Sequence, residues 1–168
     1  MEYTPSYQRQ FLITYHNSMD LTFNSVIPHF NQECFDLHQL GQFSPWSKRI
    51  FEDCLTHPYF ANCLLANNEL VGYYIGMSVL DEVTLMDIVI NKEFQGEGYG
   101  KKLLEHFIDE CNDKKAVQLW LEVRESNEVA IHLYEQQGFV LIEQRKNYYP
   151  TANGKEDALI MGLYIGGF

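Results

Sequence analysis

Gln95-Gly96-Glu97-Gly98-Tyr99-Gly100 follows a run of apolar residues and leads directly into Lys101-Lys102-Leu103-Leu104-Glu105-His106-Phe107-Ile108. A glycine-rich turn between a strand and the start of a helix leaves backbone N–H groups unpaired, and the helix macrodipole adds to their positive potential. Such a turn binds phosphate. Spacing separates the motifs that use it. A dinucleotide fingerprint, G-x-G-x-x-G counted from Gly96 and Gly98, meets Lys101 where its third glycine belongs. A P-loop, G-x-x-x-x-G-K-[ST], meets Gln95 at its first glycine and Lys102 at its hydroxyl position. Both fail, and Q-x-x-G-x-G remains.

Working outward, an amphipathic helix is expected over about Gly100 to Cys111, burying Leu103, Leu104, Phe107, Ile108 and Cys111. Upstream, Phe60–Ala66, an Asn67-Asn68 turn and Leu70–Leu80 form a hairpin, and a tight turn at Asp81-Glu82 leads into a strand over Val83–Ile90. Downstream, Val117–Val123 reads as a strand. Ser126-Asn127 then caps a helix carrying Ala130, Ile131 and Tyr134, which ends at Gly138 in the left-handed C′ position. Phe139–Gln144 and Ala158–Tyr164 read as a final antiparallel pair, joined by a long loop over Asn147–Asp157. Near the start, Phe11–Tyr15 reads as a strand and Val26–Gln39 as a helix; a second helix is capped within Ser44-Pro45-Trp46-Ser47, with the proline at its first position. Residues 1–10 read as a loose extension and 11–168 as one domain. The expected order is β-α-α-β-β-β-α-β-α-β-β, an α/β fold on a mostly antiparallel sheet. The crossover through the glycine turn requires one parallel pair of strands.

Composition narrows the function. At 168 residues, with 46% hydrophobic and 14% aromatic content, the chain suits one enzyme-sized domain. A formal net charge of −11 argues against direct nucleic-acid binding, which needs clustered Lys and Arg. Cys34, Cys54, Cys63 and Cys111 form no C-x-x-C, and neither a signal peptide nor a membrane-length apolar run is evident. A reduced, cytoplasmic protein without a membrane partner is expected. Cys34 and His38, with His29 nearby, resemble part of a metal face, but no second cluster completes tetrahedral ligation, so no metal is expected.

Three residues can carry chemistry. Alternation along Leu119-Trp120-Leu121-Glu122-Val123 sets Glu122 apart from the leucines, near the end of its strand. Partial desolvation there makes a carboxylate a better proton acceptor; the other reading is a strand carboxylate that is solvated or salt-bridged, with Arg124 as a partner. Asn127 and Tyr134 are two helical turns apart and share a face. That face is either core or the wall of a groove.

The chain resembles the GNAT superfamily of acetyl-CoA-dependent N-acetyltransferases, whose pyrophosphate loop is Q-x-x-G-x-G. From Leu80 to Met161 it is similar to the bacterial ribosomal-protein-alanine N-acetyltransferases. The similarity is carried by Leu119-Trp120-Leu121-Glu122-Val123-Arg124-Glu125-Ser126-Asn127, by Ala130-Ile131-His132-Leu133-Tyr134-Glu135, and by Arg145-Lys146-Asn147-Tyr148-Tyr149-Pro150, with Pro45-Trp46-Ser47 upstream. The resemblance implies the GNAT fold, its parallel pair splayed around acetyl-CoA. It implies that Glu122 accepts the proton of the attacking amine and that Tyr134 donates one to the departing thiolate of CoA. It further implies that the backbone of Ile88, Val89 and Ile90 pairs with the pantetheine arm. Gln95, Gly96, Glu97, Gly98, Tyr99, Gly100 and Lys101 would cradle the pyrophosphate, and Asn127 would contact the cofactor. Trp46, Tyr148 and Tyr149 would meet the acceptor, with Glu156 and Asp157 favouring basic residues further along it. The implied acceptor is the N-terminal alanine of small-subunit ribosomal protein eighteen. Another protein N-terminus, a lysine or a small amine is the alternative acceptor. A non-catalytic acetyl-CoA-binding module is the alternative class. Gly96 stands where the family often has Arg, and Glu97 adds a carboxylate beside the expected phosphates.

Overall fold

The computed structural model describes residues 19–26 and 31–167. The expected strand at Phe11–Tyr15 and the extension at 1–10 lie outside the described residues. The elements are β1 (Leu21–Ser25), α1 (Gln32–Gly41), α2 (Lys48–Asp53), β2 (Tyr59–Ala66), β3 (Glu69–Val79), β4 (Glu82–Ile90), α3 (Tyr99–Asp113), β5 (Gln118–Arg124), α4 (Glu128–Gln136), β6 (Val140–Thr151) and β7 (Gly154–Tyr164). A single 3-10 turn, Lys92–Phe94, precedes the glycine loop. The strands form one sheet in the order β1-β2-β3-β4-β5-β7-β6. Only the β4–β5 pair within it is parallel.

Local chemistry accounts for most boundaries. Asn67 and Asn68 both adopt positive φ, 48° and 68°, the twist that a tight hairpin needs and that asparagine tolerates. Asn31, Ser47 and Asn127 cap α1, α2 and α4 by accepting backbone N–H groups. Gly138, at φ 94°, follows α4 as the left-handed C′ residue.

Several expectations shift. The turn before β4 falls at Leu80-Asp81, one residue early. Pro45 precedes the cap at Ser47 instead of opening α2. Leu21–Ser25 is a strand no sequence signal marked, and it pairs with β2. The stretch Asn147–Asp157 is no long loop: β6 and β7 continue through it and are joined across Ala152-Asn153. Pro150 is compatible with this because β6 lies at the sheet's edge, where a missing N–H costs no ladder bond.

Each face of the sheet is covered. One layer packs α3 and α4 against Leu64, Tyr74, Val83, Leu85, Leu119 and Leu121; the other packs α1 and α2 against Ala61, Cys63, Tyr73, Ile75 and Val89. Strand β4 supplies both layers by an irregularity. Leu85 pairs with Gly76 and Asp87 with Ile75, so Met86 is an extra residue, a β-bulge. Val83 and Leu85 face the α3 layer, whereas Met86 and Val89 face α1. The bulge also marks the end of parallel pairing. Residues 82–85 pair with 118–121, and beyond Leu85 the two strands separate.

Candidate active site

A cavity of about 500 Å³ opens where β4 and β5 diverge. Its walls come from β4 (Leu85 to Ile88), β5 (Leu121 to Arg124), the α1–α2 connection (Gln42, Ser44, Trp46) and β6 (Tyr148, Tyr149, Pro150). Glu122, Tyr134, Asn127, Trp46, Tyr148 and Tyr149, singled out from sequence, all border it, as does Ile88. Residues scattered across the chain meet in one space.

Glu122 is held from β6. Its Oε1 accepts a short hydrogen bond from the Tyr149 hydroxyl, and its Oε2 lies 3.5 Å from Arg145 Nη1. The alternative partner, Arg124, is engaged elsewhere: it donates to Glu156 at 2.8 Å and to Pro150 O at 3.1 Å, and its guanidinium stacks on Tyr149 and Phe43. The acidic residues expected to select a basic acceptor are also consumed. Glu156 accepts from Arg124 and from Ser126 N, and Asp157 accepts from Gln144 and from Asn147 N. Their hydrogen bonds clamp β7 to its neighbours.

Tyr134 is buried at 5% exposure and packs against Phe139. Its hydroxyl makes no hydrogen bond among the described residues, although no buried side-chain polar atom there lacks a partner. The oxygen therefore opens on the cavity. Burial, then the charge of Asp87, pushes its pKa above the ordinary phenol value. It stays protonated at neutral pH and can donate. Asn127 uses Oδ1 to cap α4 at Ala130 N, 3.2 Å away.

At the other end of β4, the glycine loop has the geometry of an anion cradle. Gly96 and Gly98 adopt φ 80° and 84°, and a Cβ on either would meet nothing within 4 Å. The first helical bond of α3 is Lys102 N–H to Gly98 O at 3.3 Å, so the N–H groups of residues 99–101 have no helical acceptor. Gly100 serves another purpose: a Cβ there would press on Leu133 at 3.3 Å, so this glycine lets α3 approach α4. The Gln95 side chain donates to Ile90 O, tying the loop to β4, and the Tyr99 ring is buried with its hydroxyl on Met19. Between loop and cavity, the β5-facing edge of residues 86–90 has no strand partner. The Val89 side chain is buried in the α1 layer, leaving only its backbone for a ligand. Among the described residues, no group of three or more His, Cys, Asp or Glu could hold a metal ion.

Sequence reading missed Asp87, Gln42 and His38 as wall residues, and Arg145 as a partner of Glu122. Arg145 and Tyr149 would have been paired had Arg145–Tyr149 been read as strand; the other three converge only through the bulge and α1.

A strand edge left unpaired beside an anion-binding helix start, with a carboxylate and a buried phenol in the adjoining cavity, is the frame of an acyl-CoA-dependent transferase. Residues 23–139 match the acetyltransferase (GNAT) family, and the chain belongs to it. Its relatives include the [ribosomal protein bS18]-alanine N-acetyltransferases of Salmonella typhimurium and Escherichia coli K12. These are 44% and 42% identical over 131 residues, spanning 78% of this chain and 88% of each relative. The crystal structure of the ribosomal-protein-S18-alanine N-acetyltransferase from Escherichia coli superposes with a TM-score of 0.81 at 37% identity, covering 89% of this chain and 96% of that one. A Bacillus subtilis acetyltransferase solved in complex with CoA shares the fold, with a TM-score of 0.74 at 20% identity over 87% of this chain and 99% of that one.

Proposed function

We propose that the protein moves acetyl from acetyl-CoA to the N-terminal α-amine of a protein, with the N-terminal alanine of ribosomal protein bS18 as acceptor. The observation that carries the reading is the meeting of Glu122 and Tyr134 at one cavity beside the unpaired edge of β4. Residues 95–101 hold the pyrophosphate through backbone N–H groups. The backbone of Ile88, Val89 and Ile90 pairs with the pantetheine amides, and Asn127 adds a contact. Glu122, directly or through a water, takes a proton from the acceptor ammonium, whose ordinary pKa is about 8. The amine nitrogen then forms a bond to the thioester carbonyl carbon. A backbone N–H of β4 steadies the oxygen on which charge develops. As the carbon–sulfur bond breaks, Tyr134 passes its proton to the thiolate, and the second proton shed by the nitrogen as the amide forms returns to Tyr134 through water while Glu122 releases its own to solvent. No acyl-enzyme is needed.

Trp46, Tyr148 and Tyr149 border the entrance and accommodate an extended peptide end. The likeness to [ribosomal protein bS18]-alanine N-acetyltransferases over 78% of the chain supports that acceptor, and a ribosomal substrate is in keeping with work in the cytoplasm. No helix among the described residues is long and apolar enough to cross a membrane. The test is incubation with acetyl-CoA and peptides beginning with Ala, Ser, Leu or Lys, with the acetyl group located by mass spectrometry. A single acetyl on the α-amine, fastest on the Ala peptide, is expected. Acetylation of lysine side chains, or equal rates on all four, overturns the acceptor assignment.

A further inference from the structure

The wall of the cavity formed by α1 and β4 holds a polar cluster that the transfer chemistry leaves unused. His38 and Asp87 are 1% and 7% exposed, yet both border the cavity. Burying such groups is costly unless their polar atoms are bonded. Here they are. Asp87 Oδ2 accepts from the Tyr73 hydroxyl at 2.5 Å and lies 2.7 Å from His38 Nδ1, and Asp87 Oδ1 accepts from the Gln42 amide at 2.7 Å. The second imidazole nitrogen, Nε2, accepts the backbone N–H of Trp46 at 2.8 Å. A backbone N–H only donates, so Nε2 carries no proton in this bond and the ring proton sits on Nδ1, towards Asp87. The carboxylate selects the tautomer, and the tautomer permits the bond to Trp46.

Apart from the Tyr73 bond, which ties Asp87 to β3, the connections end on the segment between α1 and α2. Gln42 at its start is tied to Asp87, the Trp46 N–H is tied to His38, and the Trp46 carbonyl accepts from Gln39 at 2.7 Å. The imidazole also lies 4.8 Å from the indole, centroid to centroid. Without these bonds, a connection exposed at Phe43, Ser44 and Pro45 would be held mainly by the contact of Phe43 with Arg124.

We propose that His38 and Asp87 are positioning residues for the acceptor: Asp87 orients His38, and His38 holds Trp46 and the entrance rim in place. The proposal rests on Trp46 lying beside the acceptor, as the proposed function has it. Neither residue exchanges a proton with substrate. Both Asp87 oxygens and both His38 nitrogens are engaged within the protein, so their effect falls on where the amine is delivered.

The chain has two tryptophans, so a Trp120→Phe background leaves Trp46 as the remaining indole reporter. Trp120 does not border the cavity. In that background, His38→Ala should shift Trp46 emission to the red and increase its quenching by acrylamide. It should raise the KM for the acceptor peptide about tenfold or more and leave the KM for acetyl-CoA within about twofold. His38→Gln offers an amide oxygen to Trp46 N–H and an amide N–H to Asp87. It should restore both emission and acceptor KM to within about threefold of the parent, and it covers the case in which the alanine variant does not fold. Unchanged emission and acceptor KM in folded His38→Ala overturn the proposal, as does an equal rise in both KM values or a glutamine variant no better than alanine. The emission measurement uses no acceptor. A parent enzyme that ignores the Ala peptide therefore defeats the acceptor assignment while the emission still decides the role of His38.

Discussion

The two ends of the cleft are built in opposite ways. The glycine loop is contiguous, seven residues between Gln95 and Lys101, and works through backbone whose direction is dictated by two positive φ angles. The acceptor end is assembled from α1, the α1–α2 connection, β4, β5 and β6, and works through side chains that hold one another: Tyr149 and Arg145 on Glu122, Asp87 on His38, His38 on Trp46. A contiguous backbone device tolerates side-chain change as long as its dihedral angles survive. An assembled wall depends on each partner. The proposed catalytic groups, Glu122 and Tyr134, lie where these two kinds of construction meet, and substitutions separate their contributions.

The largest effect is expected at Glu122. Glu122→Gln keeps the shape and an oxygen for Tyr149 but loses the base, so kcat should fall by about 10²–10⁴ with CoA affinity retained. Near-normal turnover from pH 6 to 9 would make Glu122 a structural strand residue.

Tyr134→Phe removes the hydroxyl and almost no volume, and should lower kcat by about 10² with little change in the KM for acetyl-CoA. Since burial raises the pKa of this phenol, its proton remains in place beyond the ordinary value near 10. The wild-type kcat should therefore show no alkaline fall from Tyr134 between pH 8 and 10. A descending limb in that range that disappears in Tyr134→Phe would contradict the assignment.

Gly98→Val tests the loop. The added side chain meets open space, so the penalty comes from forcing a β-branched residue to φ 84°. A strain of about 1–2 kcal/mol per residue corresponds to a loss of about tenfold in CoA affinity, measured by calorimetry. Gly100→Ala should act differently: its Cβ reaches Leu133, so thermal stability should fall while CoA affinity changes less.

The smallest effect belongs to Tyr149→Phe. Losing one hydrogen bond to Glu122, worth about 1 kcal/mol, should lower kcat/KM about fivefold. A loss as large as that of Glu122→Gln would promote Tyr149 from holding the base to taking part in proton transfer.

The same contrast explains what the sequence disclosed. The loop, α3, the β2–β3–β4 meander and the capped α4 each carry their signal within a dozen residues, as glycine spacing, period or cap. Strand β1 does not. Its five residues alternate Leu21 and Phe23 with polar neighbours at the sheet's edge, a pattern too short to compete with the more apolar Phe11–Tyr15. The β6–β7 hairpin was misread because Asn147, Pro150 and Asn153 are turn-forming residues. In the fold, Asn147 takes φ 52° inside a register shift of an edge strand and only Asn153 lies in the turn. Alternation and helical spacing set Glu122 apart from the leucines and Asn127 and Tyr134 on one face, but their roles were legible only through the family resemblance. The His38–Asp87 cluster was not, because simple alternation gives Asp87 the face of Leu85, and one inserted residue, Met86, carries it to the other layer.

That inserted residue has a thermodynamic consequence. By ending the parallel ladder at Leu85, it gives the protein an unpaired edge in the middle of its sheet, between two strands. In the proposed binding mode, a pantetheine arm seated there would add hydrogen bonds to the native state that the unfolded chain cannot make. Native stability then follows ligand supply by mass action, rising by about 2.7 kcal/mol when acetyl-CoA stands at a hundred times its dissociation constant. The melting temperature becomes a gauge of occupancy, and a cell rich in acetyl-CoA holds a sturdier enzyme than a starved one.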